Sequence, residues 1–215
     1  MLPTTVLIVF IFLIYSVQHS FFASLQVKKY FRKHLIAVFP YYRFIYTVVQ
    51  GILFLVLWIY LPKPPFIIWD VHGPYVYLFK TVQGFAGLGL LYAFSQFSLY
   101  EFSGIGAIHR SMKGTISEED ELYRLNQNGL YAVSRHPIYF FTRLIFLFRP
   151  KMTWFGLLFI IWLGVYFHIG SLLEEKRMEY LFPQEYVAYK KQVSRIFPFK
   201  YLRNKLVLLT GRIFN

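Results

Sequence analysis

Residues 2–27, 44–61 and 152–173 contain no aspartate, glutamate, lysine or arginine. As helices, runs of this length cross ~30 Å of hydrocarbon, which takes about 20 residues. Residues 75–100 form a fourth run broken only by Lys80. Lipid gives the backbone no hydrogen-bond partner, so segments of this kind must close their hydrogen bonds within helices. The expected fold is all-α: a polytopic membrane bundle of about five transmembrane helices, in a single domain over residues 1–215, with a helical tail after the last span.

The remaining composition narrows the chemistry. The chain is 57% hydrophobic and 15% charged, so five spans leave no room for a separate soluble domain. Cysteine is absent, which excludes disulfides, a thiolate nucleophile and cysteine metal ligands. The histidines show neither HxxxH nor HExxH spacing, so no metal is expected.

Five spans are expected, at 2–27, 44–61, 75–100, 130–149 and 152–173. The first lacks a basic leader and a small-residue cleavage site, and reads as a retained helix. The fourth is short: from His136 to Pro150 there are too few residues to cross, so it starts upstream near Gly129 or enters only part way. Eighteen lysines and arginines fall in the 28–43 loop, the 101–135 loop and the tail from 174, against four on the other side. The positive-inside rule then sets the N-terminus outside and the C-terminal tail in the cytoplasm. The same tail, with Lys190, Lys191, Arg195, Lys200, Arg203 and Lys205, accounts for much of the net charge of +13 and suits an anionic leaflet. Nucleic acid is not an expected partner, since the charge flanks membrane spans and carries no nucleic-acid motif.

Two polar clusters abut the last two spans. One is Arg135-His136-Pro137-Ile138-Tyr139, the other Glu174-Glu175. Charge is costly near a bilayer, so its retention at both ends of one hairpin points to function. Pro137 suits a first helical turn, where no amide hydrogen is lost. His136, Tyr139 and Arg143 then share a face. Gly164, His168, Ser171 and Glu175 form a small and polar stripe on the last span, expected to face protein. A tight turn at 150–152 would make these helices antiparallel neighbours and bring Arg135 and His136 to Glu174 and Glu175.

Plainer readings exist for each element. Arg135 and Glu174 could form an interfacial ion pair with Tyr139 as an aromatic-belt residue. His168 alone suits packing. Gly87-Leu88-Gly89 and Gly104-Ile105-Gly106 suit close helix contacts rather than a dinucleotide fold, since neither follows a strand. Ser117-Glu118-Glu119-Asp120 reads as a helix N-cap.

The ordered combination carries more. Gly129-Leu130-Tyr131, Arg135-His136-Pro137-Ile138-Tyr139, Glu174-Glu175, Glu185-Tyr186, Tyr189 and Phe197-Pro198 together resemble the C-terminal half of the isoprenylcysteine carboxyl methyltransferase and phospholipid methyltransferase superfamily. His19-Ser20, Ala23, Lys28, Arg43, Tyr46 and Trp69 resemble the branch holding the NnrU-like proteins and the membrane thiol S-methyltransferases. Phe140 and Phe141 stand where that branch has a small residue, and Phe182-Pro183 replaces its Phe-Gly.

This resemblance implies an S-adenosylmethionine-dependent methyltransferase, with residues 1–100 a three-helix part and 101–215 the cofactor-binding part. Arg135, His136, Tyr139, Glu174 and Glu175 would belong to the cofactor site. Tyr131, Tyr186 and Tyr189 could help wall it, because aromatic faces favour a sulfonium. Glu174 or Glu175 suits the cofactor's ammonium, and Arg135 with His136 its carboxylate. The methyl acceptor is expected to be a small thiol or a lipophilic molecule reaching the site from the lipid bilayer. A thiol must lose a proton, for which His19 or His136 could serve. Tyr15, His19, Phe22 and Gln26, at helical spacing, could line the acceptor side. Arg143, within a span, would touch the acceptor or the cofactor carboxylate. The alternatives are a non-catalytic NnrU-like membrane protein and an NADPH-dependent membrane reductase. Oligomeric state is not legible.

Overall fold

The computed structural model describes residues 2–96, 98–114 and 125–213, and the Ser117–Asp120 cap lies outside them. Among the described residues three helices are long and apolar enough to cross a membrane: α1 (Leu2–Ala23), α3 (Phe39–Tyr60) and α8 (Trp154–Leu181). The chain forms two compact units. One comprises residues 1–66, 98–123 and 153–158, the other 67–97, 124–152 and 159–215.

In the first unit, α1 and α3 are joined by a polar seam. Gln18 and Gln50 exchange amide hydrogen bonds at 2.7 and 3.1 Å, and the Tyr42 hydroxyl donates to the Phe22 carbonyl at 2.6 Å. In a medium as apolar as leucine, such bonds and close packing hold helices together, each bond contributing about 0.6 kcal/mol. The outer face of α1 presents Val6, Phe10, Leu13 and Val17, as hydrocarbon requires. The first span is shorter than expected: Ser24 ends it and caps the basic helix α2 (Leu25–His34), its hydroxyl accepting from the Val27 amide. Gln26 therefore stands on α2, not on the Tyr15–His19–Phe22 stripe of α1.

The 101–135 segment, expected as a loop, carries α5 (Leu99–Phe102) and α6 (Ile105–Met112). Arg110 grips Glu101 bidentately at 2.6 and 2.8 Å. Gly104, at φ +87°, must be glycine, since a Cβ there would lie 2.6 Å from the Phe44 amide nitrogen.

In the second unit, β1 (Ile67–Asp70) pairs with β2 (Lys151–Thr153), where a tight turn was expected. The Trp69 indole donates to the Arg149 carbonyl at 3.1 Å and the Val71 amide to Pro150 at 2.9 Å. The fold is thus helical with a two-stranded ribbon. Helix α4 (Tyr75–Ser95) packs against α7 (Pro137–Leu147) in antiparallel register. Gly89 meets Phe141, the Gln83 amide donates to the Ile145 carbonyl at 2.8 Å, and Phe79 meets Phe148. Gln96, just past α4, accepts from the Leu130 amide at 3.1 Å and occupies the space a Cβ on Gly129 would need. Gly129, at φ +58°, opens a 3-10 turn over Gly129–Ala132.

The fourth segment is accordingly not one helix. Its helical part has only 11 residues, but with the upstream turn and an extended link it follows α4 from Gln96 to Phe79. Seventeen residues of α4 rise about 26 Å. Helix α8, at 28 residues, is longer than the expected span and rises about 42 Å, so its end outruns ~30 Å of hydrocarbon. The tail folds as α9 (Pro183–Gln192) and α10 (Phe199–Ile213).

Candidate cofactor site

Residues 134–136 are extended and lie beside 194–196. The Arg135 amide donates to the Ser194 carbonyl and the His136 amide to the Arg195 carbonyl, each at 3.0 Å. Ser134 completes the stitch, its hydroxyl donating to the Ile196 carbonyl at 2.8 Å. Proline at 137 then starts α7 with its ring in the first turn, as expected. The segment between α7 and the 3-10 turn is thereby held against the chain that follows α9.

This pairing sets Arg135 and His136 against α8. Arg135 Nε donates to Glu175 Oε1 at 2.9 Å and its Nη2 lies 2.8 Å from the same oxygen. His136 Nε2 is 3.3 Å from Glu175 Oε1, and its Nδ1 is 3.5 Å from Glu174 Oε2. The expected meeting of the two clusters is present. The two glutamates differ sharply, however: the Glu175 side chain is 3% exposed and that of Glu174 47%.

Glu175 is the buried hub. Besides Arg135 and His136, Lys190 and Arg195 approach its Oε2 at 3.8 and 3.5 Å. Lys190 also pairs with Glu179. Arg135 is equally committed. Its Nη1 donates to the carbonyls of Val193 at 2.6 Å and Lys190 at 3.1 Å, groups that α9 leaves open at its C-terminal end. The guanidinium expected to face the cofactor carboxylate ties α8 to the end of α9.

Glu174 is the open acid. The Tyr139 hydroxyl donates to its Oε2 at 3.4 Å. The Tyr139 ring stacks on His136 at 5.2 Å and on Phe167 at 4.2 Å, within 4° and 11° of parallel. Arg143 continues this column, its guanidinium 5.9 Å from the Phe167 ring and its Nη2 donating to the Gly164 carbonyl at 2.5 Å. Arg143 Nε is buried with no hydrogen-bond partner among the described residues.

The two tail tyrosines are enclosed by protein. Tyr186 and Tyr189 are 3% and 5% exposed and pack with Val193, Met178 and Phe182, so protein already encloses their rings. Burial holds both phenols well above the ordinary tyrosine range, the Glu175 charge adding to the rise at Tyr186. The Tyr189 hydroxyl donates to the Tyr131 carbonyl at 2.6 Å, which ties the 3-10 turn to α9. Of the α8 stripe, Ser171 and Glu175 face inward while His168 is exposed. His19 belongs to the first unit, where its Nε2 is 3.0 Å from the Tyr46 hydroxyl. Among the described residues no cluster of metal-ligating side chains occurs.

Over 188 residues the sequence is 30% identical to methanethiol S-methyltransferase 1 of Bradyrhizobium diazoefficiens. Over 187 residues it is 28% identical to methanethiol S-methyltransferase of Pseudomonas deceptionensis. Over most of its length the chain is thus similar to two methanethiol S-methyltransferases. The similarity covers 87% and 86% of this chain, which spans 64% of the length of the first relative and 69% of the second. No family model and no solved structure matches the chain.

That kinship agrees with the thiol-methyltransferase branch to which the residue motifs pointed. Ser134 completes the cluster without being singled out from the sequence, and Lys190 and Arg195 were read there only as basic residues of the tail. Arg195 lies two residues before the Phe197-Pro198 that closes the motif. Its basic character was visible, but only the 134–136 pairing shows that it reaches Glu175.

Proposed function

We propose that the protein is an integral-membrane S-adenosylmethionine-dependent methyltransferase acting on a small thiol or another lipophilic acceptor. Its relatives' names supply the thiol; the open Glu174 carboxylate beside an internally satisfied Arg135–Glu175 pair is the observation that carries the cofactor. Among the described residues only one oxygen of Glu174 is engaged, by Tyr139 and His136. The second oxygen is left for an ammonium, and a charge-assisted hydrogen bond to it would be short and strong. The residues present fit the group: an open acid, a column of stacked rings and a surplus cation lie side by side.

When bound, the cofactor supplies an electrophilic methyl and its own leaving group. The chain's tasks are then alignment and exclusion of water, effects that can lower the barrier by several kcal/mol. Glu174 anchors the amino-acid end, and the His136–Tyr139 column limits its approach. Arg143, held by the Gly164 carbonyl, is the proposed contact to the reacting groups from within the span. A thiol must lose a proton to react, and His136, beside Glu174 in the second unit, is the histidine proposed to accept it.

In the membrane we place five crossing segments, the N-terminus outside and α9 and α10 in the cytoplasm, with a lipid-facing exterior. The excess of basic residues before α3, between α4 and α7, and after α8 supports this orientation. The pairing of β1 with β2 supports the count, because it sets the starts of α4 and α8 on one side and requires 129–150 to cross back between them.

Calorimetry with S-adenosylhomocysteine and detergent-purified protein tests the assignment. Wild-type protein is expected to bind, and Glu174→Gln to bind at least tenfold more weakly while unfolding at the same temperature. Absence of binding at millimolar ligand by folded wild-type protein would overturn the methyltransferase reading and favour a non-catalytic membrane protein.

A further inference from the structure

Resting on that reading, we infer that Arg195, rather than Arg135, receives the carboxylate of the cofactor's amino-acid end. The two arginines flank one carboxylate and are in opposite states. Arg135 donates from Nε and Nη1 to Glu175 Oε1 and to the carbonyls of Lys190 and Val193, and its side chain is 6% exposed. Reorienting it toward a ligand would take the 2.6 Å donor from the Val193 carbonyl and leave that of Lys190 to Lys200 Nζ.

Arg195 makes one charge contact, Nε to Glu175 Oε2 at 3.5 Å, and none of its guanidinium nitrogens donates a hydrogen bond to a described residue. Nε is buried although the side chain is 31% exposed, so the base of the fork is inside and part of it reaches the surface. A buried donor without an acceptor is a cost that folded proteins rarely carry unless something else supplies the acceptor.

The backbone beneath this side chain is not free to drift. The Arg195 carbonyl accepts from the His136 amide at 3.0 Å and from the Ser134 hydroxyl at 3.2 Å, so its Cα is fixed beside the residue whose Nδ1 faces Glu174. An open acid and an open arginine thus border the same Glu175–His136 pair. A zwitterionic amino-acid end presents an ammonium and a carboxylate on one carbon, and a planar guanidinium fork matches a carboxylate with two parallel hydrogen bonds. Arg195 acts here as a binding residue and takes no part in bond making.

The test compares two ligands by calorimetry. S-adenosylhomocysteine carries the amino-acid end, and 5′-methylthioadenosine keeps the nucleoside and thioether without it. Wild-type protein should prefer the first. Arg195→Gln should weaken S-adenosylhomocysteine at least tenfold and leave 5′-methylthioadenosine unchanged, the latter also showing that the site is folded. Should Arg195→Gln bind neither ligand, Arg195→Lys decides: retained 5′-methylthioadenosine binding with S-adenosylhomocysteine weakened several-fold supports the fork, and wild-type affinity for both overturns it. An unchanged preference in Arg195→Gln overturns the inference while the methyltransferase reading stands. Failure of the wild type to bind either ligand removes both.

Discussion

At the scale of single residues, two adjacent glutamates have been given opposite environments by one helical step. Glu175 points inward to a guanidinium and an imidazole, and Glu174, about 100° further round α8, meets the surface. A buried pair such as Arg135–Glu175 is weak support for net stability, but removing one partner strands the other without water. Glu175→Ala should therefore destabilise the protein by about 3–5 kcal/mol, read as a large drop in thermal midpoint in detergent. Glu174→Ala should leave that midpoint near the wild type. Equal midpoints for the two variants would contradict the division into a structural and a ligand-facing acid. The charges themselves were legible from sequence, and so was their meeting. Which arginine was already occupied was not, because that depends on the Lys190 and Val193 carbonyls, exposed only where α9 stops.

At the scale of elements, the long apolar runs declared α1, α3, α4 and α8 because lipid permits little else. Their ends were less legible. Ser24 breaks the first run through a local cap that competes with continued helix, and hydropathy does not register such a bond. The ribbon of β1 and β2 joins segments some 80 residues apart, and no local pattern encodes that pairing. The fourth segment shows both sides of the problem: it was too short as a helix, and Gln96 and Gly129 supply the remainder by a contact invisible in sequence. Close packing of α4 on α7 depends on Gly89, where a Cβ would strike the Phe141 ring. Gly89→Val should cost about 1–3 kcal/mol through overpacking. A second change, Phe141→Ala, should recover part of the loss. A thermal midpoint for Gly89→Val equal to that of the wild type would show that the two helices separate at no cost.

At the scale of the whole molecule, the basic residues and the ribbon together make the proposed topology testable. Because the chain has no cysteine, single cysteines can be introduced without first removing any. In intact cells a membrane-impermeant thiol reagent should label Lys63→Cys, between α3 and β1, and label Lys113→Cys, after α6, only once the membrane is opened. The reverse pattern would invert the orientation, and labelling of both in intact cells would break the five-crossing scheme.

The ribbon also sets a datum for height. Helix α8 begins at Trp154 with no linker after β2, so every residue along it is counted from a fixed strand. Inserting one residue between Thr153 and Glu174 would raise the carboxylates by about 1.5 Å and swing them by about 100°, which turns Glu174 inward and sets Leu173 in its place at the open site. A protein built this way tolerates length changes after Lys200 far better than in this one helix. Its chemistry is indexed, residue by residue, to a pair of strands about twenty residues away.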